Sequence, residues 1–280
     1  MDTSITRILA VIDPVRAEQW ALQKAIMMAK GRSDARVLAY LCSNTTAKCD
    51  DPEHYHAVEI HRNQLWLDEL LAQTDSHGVV IEPQVEWRAD WRDAICAAAH
   101  DFGAEVVVKR ASGRPSSLAS SDRHLIRTLK NCALFLVKHD PVAEIQKVLV
   151  AVDFNARDAS HTALNTAIME LGKRVRGDSG NIELHCISAY SQSDRFVHPP
   201  DVSKILGIER SRAHVQRGTA AEVIPETANR IGADLVIVGN VGRRGLSGIT
   251  VGNTAEKILT DVAADILVLV QVEARERNAA

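Results

Sequence analysis

The chain has 280 residues, 46% apolar and only 4% aromatic, so its core must rest on Ala, Val, Ile and Leu, as in buried parallel strands covered by helices. A net charge of -3 with both signs interspersed offers no footprint for a nucleic-acid backbone or an anionic membrane, and no run approaches the roughly 20 apolar residues that span a bilayer. Met1 to Arg7 lacks a signal-peptide pattern and the five cysteines (Cys42, Cys49, Cys96, Cys132, Cys186) form no C-x-x-C pair, so a cytoplasmic protein with reduced thiols is expected, with no nucleic-acid partner and no membrane contact.

In chain order, RILAVID (7–13) reads as a buried strand ending in Asp13, and ALQKAIMMAKG (21–31) as the helix that follows. RVLAYL (36–41) is a second strand and QVEW (84–87) a third. Between them, Cys49, Asp50, Asp51, Glu53, His54, His56 and His61 form the densest group of potential metal ligands, but their spacing fits no zinc pattern and they read as solvated residues at a helix start. Trp66, Trp87 and Trp91 read as packing residues, because no basic groove accompanies them. DAICAAAHDFGAEVVVK (93–109) is a helix closed by Gly103 that runs into a fourth strand, and ALFLVK (133–138) is the fifth.

The same series then repeats. KVLVAVD (147–153) echoes the first strand and ends in Asp153, ALNTAIMELGK (163–173) its helix, IELHCI (182–187) the second strand, and AHVQ (213–216) the third. AEVIPETANRIGADLVIVG (221–239), with Gly232 at the helix end, and DILVLV (265–270) complete it. Five matched strands in order argue against one large sheet with chance likeness between halves. The expectation is an α/β chain of two tandem, doubly wound, five-stranded parallel-sheet domains, 1–140 and 141–280, joined at the His139-Asp140-Pro141 punctuation. In such sheets ligands bind outside the strands' carboxyl ends, where Asp13 and Asp153 lie.

After the fourth strand of the second half comes a loop with Gly239, Gly242, Gly245, Gly248 and Gly252, then Asn253, Thr254 and a helical run, AEKIL. Glycines permit positive φ and close approach, so successive amides can cradle an anion, and the helix start adds unpaired amides and its dipole. Arg243 and Arg244 supply supporting charge. Asn253 with Glu256 three residues on also reads as a capping box.

This Gly-x2-Gly-x9-Gly spacing, closing a half that opens with KVLVAVD, resembles the universal stress protein family. The tandem arrangement, VEWRADWRDAI in the first half and GNTAEKIL in the second are most similar to its two-domain E-type members, and the resemblance covers nearly the whole chain. It implies Rossmann-like, adenine nucleotide alpha hydrolase-like domains packed as an intrachain pseudo-dimer, binding ATP or AMP, with or without Mg. The site so implied is Asp153 at the nucleoside end, Cys186 beside the base, and Gly239, Gly242, Arg243, Gly252, Asn253 and Thr254 around the phosphates. Three positions depart from the family pattern: Asn253 stands for the usual Ser or Thr, Asn240-Val241 for a commoner Ser-His, and the stretch from Tyr190 to Arg212 is short for its helix.

In the first half the corresponding segment begins Lys109-Arg110-Ala111-Ser112-Gly113 and ends with Asp122; neither leading glycine is kept, so no anion nest forms, and Asp122 reads as an acid before the last helix that repels phosphate, so that half is expected to be structural or to hold a less polar ligand. A P-loop is missing, as is a lysine or base placed for phosphoryl transfer, so no catalytic residue and no metal ligand is expected. The expected function is a nucleotide-binding stress or regulatory protein; an interaction protein of the same fold, with a protein or apolar partner, and a weak ATPase are the alternatives. The halves are expected to pair through their fifth strands, and whole chains to pair again as a homodimer.

Overall fold

The computed structural model describes residues 5–46, 50–112, 118–156, 158–177, 181–240, 243–245, 248–250 and 253–270. Compactness groups the chain differently from the sequence repeat at 140/141. One unit is Met1–Arg110 with Asp140–Val142; the other is Ala111–His139 with Ala143–Ala280.

The first unit runs β1 (Arg7–Val11), α1 (Trp20–Ala29), β2 (Arg36–Ser43), α2 (Pro52–Gln73), β3 (Val80–Trp87), α3 (Trp91–Phe102) and β4 (Val106–Arg110). Its parallel sheet has the order β3-β2-β1-β4. Ile8, Leu9, Val37, Val107 and Val108 are wholly buried, which is why these strands read as unbroken apolar runs. The third strand starts at Val80, earlier than the predicted Gln84, and includes Pro83, which a strand carries only at an edge or bulge. Asp51 accepts from the His54 amide at 3.0 Å and Pro52 takes the first helical position, so the acid- and histidine-rich stretch is the start of α2. His56 stacks on Trp87 at 3.5 Å between ring centroids. Among the described residues no three His, Cys, Asp or Glu side chains gather as a metal site; Cys49 lies outside them.

The second unit contains α4 (Ser120–Thr128), β5 (Ala133–Val137), β6 (Lys147–Ala151), α5 (Ala159–Arg176), β7 (Glu183–Tyr190), α6 (Pro199–Leu206), β8 (Ala213–Arg217), α7 (Ala220–Ile231) and β9 (Leu235–Asn240). A short antiparallel pair, β10 (Arg243–Gly245) and β11 (Gly248–Thr250), lies in the glycine-rich segment, followed by α8 (Asn253–Asp261) and β12 (Asp265–Val270). The sheet order is β5-β12-β9-β6-β7-β8. All neighbours are parallel except β5, which runs antiparallel to β12 in the register Phe135↔Leu267. The fifth strands of the two copies therefore pair, as edge protection requires, and this pairing puts residues 111–139 with the second unit. Lys138 secures the junction: its Nζ donates to the carbonyls of Leu259 at 2.7 Å and Val262 at 2.6 Å at the end of α8.

The two copies share their anchors as well as their strands. Glu105 Oε2 accepts from the amides of Thr6 (2.6 Å) and Arg7 (3.2 Å), and Asp234 Oδ2 accepts from those of Gln146 and Lys147 at 2.8 Å each. Gly103 (φ 69°) and Gly232 (φ 64°) close α3 and α7 in the left-handed conformation, as their sequence position predicts. Strand registers correct two sequence matches. Ile8 pairs with Val37 and Val148 with Leu184, so Tyr40 is equivalent to Ile187, not to Cys186. Likewise β4 against β1 and β9 against β6 set Arg110, not Lys109, equivalent to Gly239; Gly113 and Gly242 lie outside the described residues.

Candidate functional site

A cavity of about 970 Å³ opens at the carboxyl ends of β6, β7 and β9 in the second unit, the position the doubly wound topology reserves for ligands. Asp153 and Asn155 line it from the loop after β6, and Ile187, Ala189, Tyr190 and Ser191 from β7 and just beyond it. His161, Leu164, Asn165 and Ile168 belong to α5, Thr219, Ala220 and Ile224 to the start of α7, and Thr254, Ala255 and Ile258 to α8. Val238, Gly239 and Asn240 end β9 on its floor.

Asp153 is fixed from two sides. Asn165 on α5 accepts from its amide at 3.2 Å and donates to its carbonyl at 2.6 Å, while Asp153 Oδ1 accepts from the Asn155 amide at 2.9 Å in an Asx turn. Among the described residues nothing takes Oδ2. Asn155 Nδ2 in turn donates to the Arg195 carbonyl at 2.9 Å, which draws the 3-10 turn Ser193–Arg195 against the cavity mouth. His161 Nδ1 lies 2.6 Å from Asp158 Oδ2, and Asp158 also caps α5 by accepting from the His161 amide at 2.9 Å. Those contacts with His161 hold the Asp158 carboxyl below the usual range. Glu222 reaches back to the amide and hydroxyl of Thr219, at 3.2 and 2.7 Å, and so steadies the start of α7.

Of the residues singled out from sequence, Asp153, Gly239 and Thr254 come together here. Gly242 and Gly252 lie outside the described residues, as do the side chains of Arg243 and Asn253, whose backbones belong to β10 and α8. Cys186 is not brought to the cavity. It is fully buried on the opposite face of β7 from Ile187 and Ala189, and that burial pushes its thiol up out of the titratable range.

Gly239 has a packing reason to be glycine. It is a strand residue without positive φ, and a Cβ there would lie 2.4 Å from Leu164 Cδ2, 2.6 Å from Leu164 Cγ and 3.0 Å from Ile168 Cδ1. The structure describes α8 from Asn253, whose side chain lies outside the described residues together with the capping reading, and Glu256 pairs with Arg123 of α4. Tyr190, Arg195, His161 and Asn165 were missed in the sequence. Asn165, twelve residues after Asp153, had a signal in the polar position it breaks into the apolar face of α5; the other three carry no local motif.

The first copy fills the equivalent places with its own side chains. Arg16 Nε takes Asp13 Oδ2 at 3.1 Å. Fully buried Tyr40 stands where Ile187 lines the cavity, and its hydroxyl donates to Glu86; burial and this bond push the phenol up. Arg110, in the place of Gly239, lies over Trp20 at 3.7 Å. Asp122 is not before α4 but in its first turn, buried, accepting from the Ser112 amide at 3.0 Å.

A sequence model described as the universal stress protein family matches residues 4–130 and 201–270. The Universal stress protein E of Escherichia coli K12 is 27% identical over 93% of this chain and 92% of its own. Two solved structures are alike in fold: a putative universal stress protein from Pseudomonas aeruginosa (24% identity, TM-score 0.74, 96% and 94% covered) and one from Archaeoglobus fulgidus (18%, 0.73, 95% and 97%).

Proposed function

The chain belongs to the universal stress protein family, and from that premise we propose that it is a stress-response protein whose second copy binds an adenine nucleotide, ATP or AMP, in the cavity above β6, β7 and β9. The observation that carries the proposal is the contrast between copies. Asp153 Oδ2, Ile187 and Gly239 leave an open cavity where Arg16, Tyr40 and Arg110 occupy the first copy. Asp153 is the acceptor for the nucleoside, apolar Ile187, Ala189 and Ile224 flank the base, and the start of α8 at Thr254 offers amides to phosphate.

The same reading makes the first copy structural, the boundary at 140/141 a repeat boundary, and the whole a cytoplasmic protein that self-associates. Among the described residues no helix is long and apolar enough to cross a membrane. No catalytic residue is assigned. Calorimetric titration with AMP and with ATP plus Mg tests the reading: one site per chain is expected, lost in Ala189→Phe, which fills the cavity. No binding by the wild type, with no nucleotide released on denaturing freshly purified protein, leaves the interaction-protein reading in its place. Phosphate accumulating from ATP over time identifies a weak ATPase.

A further inference from the structure

Asn240, the last residue of β9, is 4% exposed and lines the cavity, and its buried Nδ2 has no hydrogen-bond partner among the described residues. A buried donor left unmade costs free energy, so such groups persist where something outside the resting fold satisfies them. The strand fixes where it points. Gly239 faces α5, since a Cβ there meets Leu164 and Ile168, so Asn240 faces the opposite layer, which holds α7 and α8. Thr254 and Ala255 in the first turn of nine-residue α8 line the same cavity, and helix starts leave backbone amides unpaired.

Resting on the nucleotide reading above, we propose that Asn240 is the specificity-determining residue of this site, its Nδ2 donating to a phosphoryl oxygen seated at the start of α8, so that the site selects a phosphorylated nucleoside over the bare nucleoside. The unpaired groups that converge there among the described residues, Asn240 Nδ2 and the backbone N–H groups at the start of α8, are donors. A phosphoryl oxygen is a charged acceptor without a hydrogen of its own and suits these donors best; a ribose hydroxyl can also accept from them but is uncharged and gains less. The position carries Ala111 in the first copy, where no side-chain donor exists.

The test titrates AMP and adenosine into wild type, Asn240→Leu, which matches the amide in shape without its donor, and Asn240→Asp, which keeps an oxygen and adds charge. AMP is expected to bind about tenfold to a hundredfold more weakly to both variants, the loss of one hydrogen bond to a charged group, with adenosine affinity within about twofold of wild type. Ligand-free Asn240→Leu is expected to melt a few degrees above wild type, because it no longer buries an unpaired amide. AMP binding unchanged in both variants, or a lower melting temperature for ligand-free Asn240→Leu, overturns the inference while leaving the nucleotide reading intact. A wild type that binds neither AMP nor adenosine overturns both.

Discussion

Gly239→Ala is a perturbation whose size can be worked from distances. Ordinary carbon–carbon contact is about 3.5–4.0 Å. The added methyl would sit 2.4 Å from Leu164 Cδ2 and 2.6 Å from Leu164 Cγ, short by about 1 Å at two atoms, one of them a branch point that no rotation of the chain end removes. Ile168 Cδ1 at 3.0 Å blocks the neighbouring direction. Either α5 lifts from β9 or Leu164 turns into the cavity it lines. Overpacking of this kind costs about 1–3 kcal/mol; taking about 2, the melting transition falls by about 4–8 °C for a chain of this size. Thermal unfolding of the ligand-free protein measures it. A double-mutant cycle with Leu164→Ala isolates the cause: in that background Gly239→Ala should cost less than about 0.5 kcal/mol. A single Gly239→Ala variant within about 0.5 kcal/mol of wild type refutes the packing account and returns Gly239 to the role of a loop glycine.

Two further outcomes follow from side chains away from the cavity. Lys138→Met removes both donors to the Leu259 and Val262 carbonyls beside the β5–β12 pair and should lower stability to urea by about 1–3 kcal/mol; an unchanged midpoint would mean water replaces the amine without loss. His214 is held down at about 4 by burial first and then by the neighbouring His185 and Arg230 charges, and His185 is lowered too, by burial against the pull of Glu183. Their facing nitrogens lie 3.2 Å apart, Glu183 sits 3.4 Å from His185 Nε2, and Arg212 and Lys147 add positive charge nearby. Because the folded pKa is depressed, the unfolded chain takes up the proton first. Stability should therefore be level above about pH 6.5 and fall as pH drops from there to about 4, by on the order of 1–2 kcal/mol once partial exposure is discounted. That window lies above the one in which Asp90, held at about 2 chiefly by Arg92, loses its contribution. His214→Asn should flatten the urea midpoint between pH 6.5 and 5; an unaltered slope there would contradict the assignment.

The parts of this molecule that were legible in the sequence are those set by local rules. Apolar runs became buried strands, Gly103 and Gly232 took the left-handed cap conformation, and the short segment after Tyr190 yields α6 of eight residues against twenty-two in α2. Register was less legible, because IELHCI and RVLAYL align almost equally well one residue apart. That single step moves a position to the other face of the sheet: Ile187 lines the cavity, while Cys186, the position the family resemblance implies, lies on the opposite face. The glycine segment was read as one loop, yet it contains the β10–β11 pair, whose six residues are too few to show alternation. Arg195 is held at the cavity through Asn155, a contact made by a folded turn, whereas His161 shares the α5 face of Leu164, Asn165 and Ile168.

The most direct test of nucleotide binding in the second copy is photolabelling with an 8-azidoadenine nucleotide, located by peptide mass spectrometry and competed with AMP. The account predicts label in peptides carrying Asp153 to Ile168 or Ile187 to Arg195, abolished by competitor. Label on peptides around Asp13 or Tyr40, or labelling that AMP does not suppress, would contradict it.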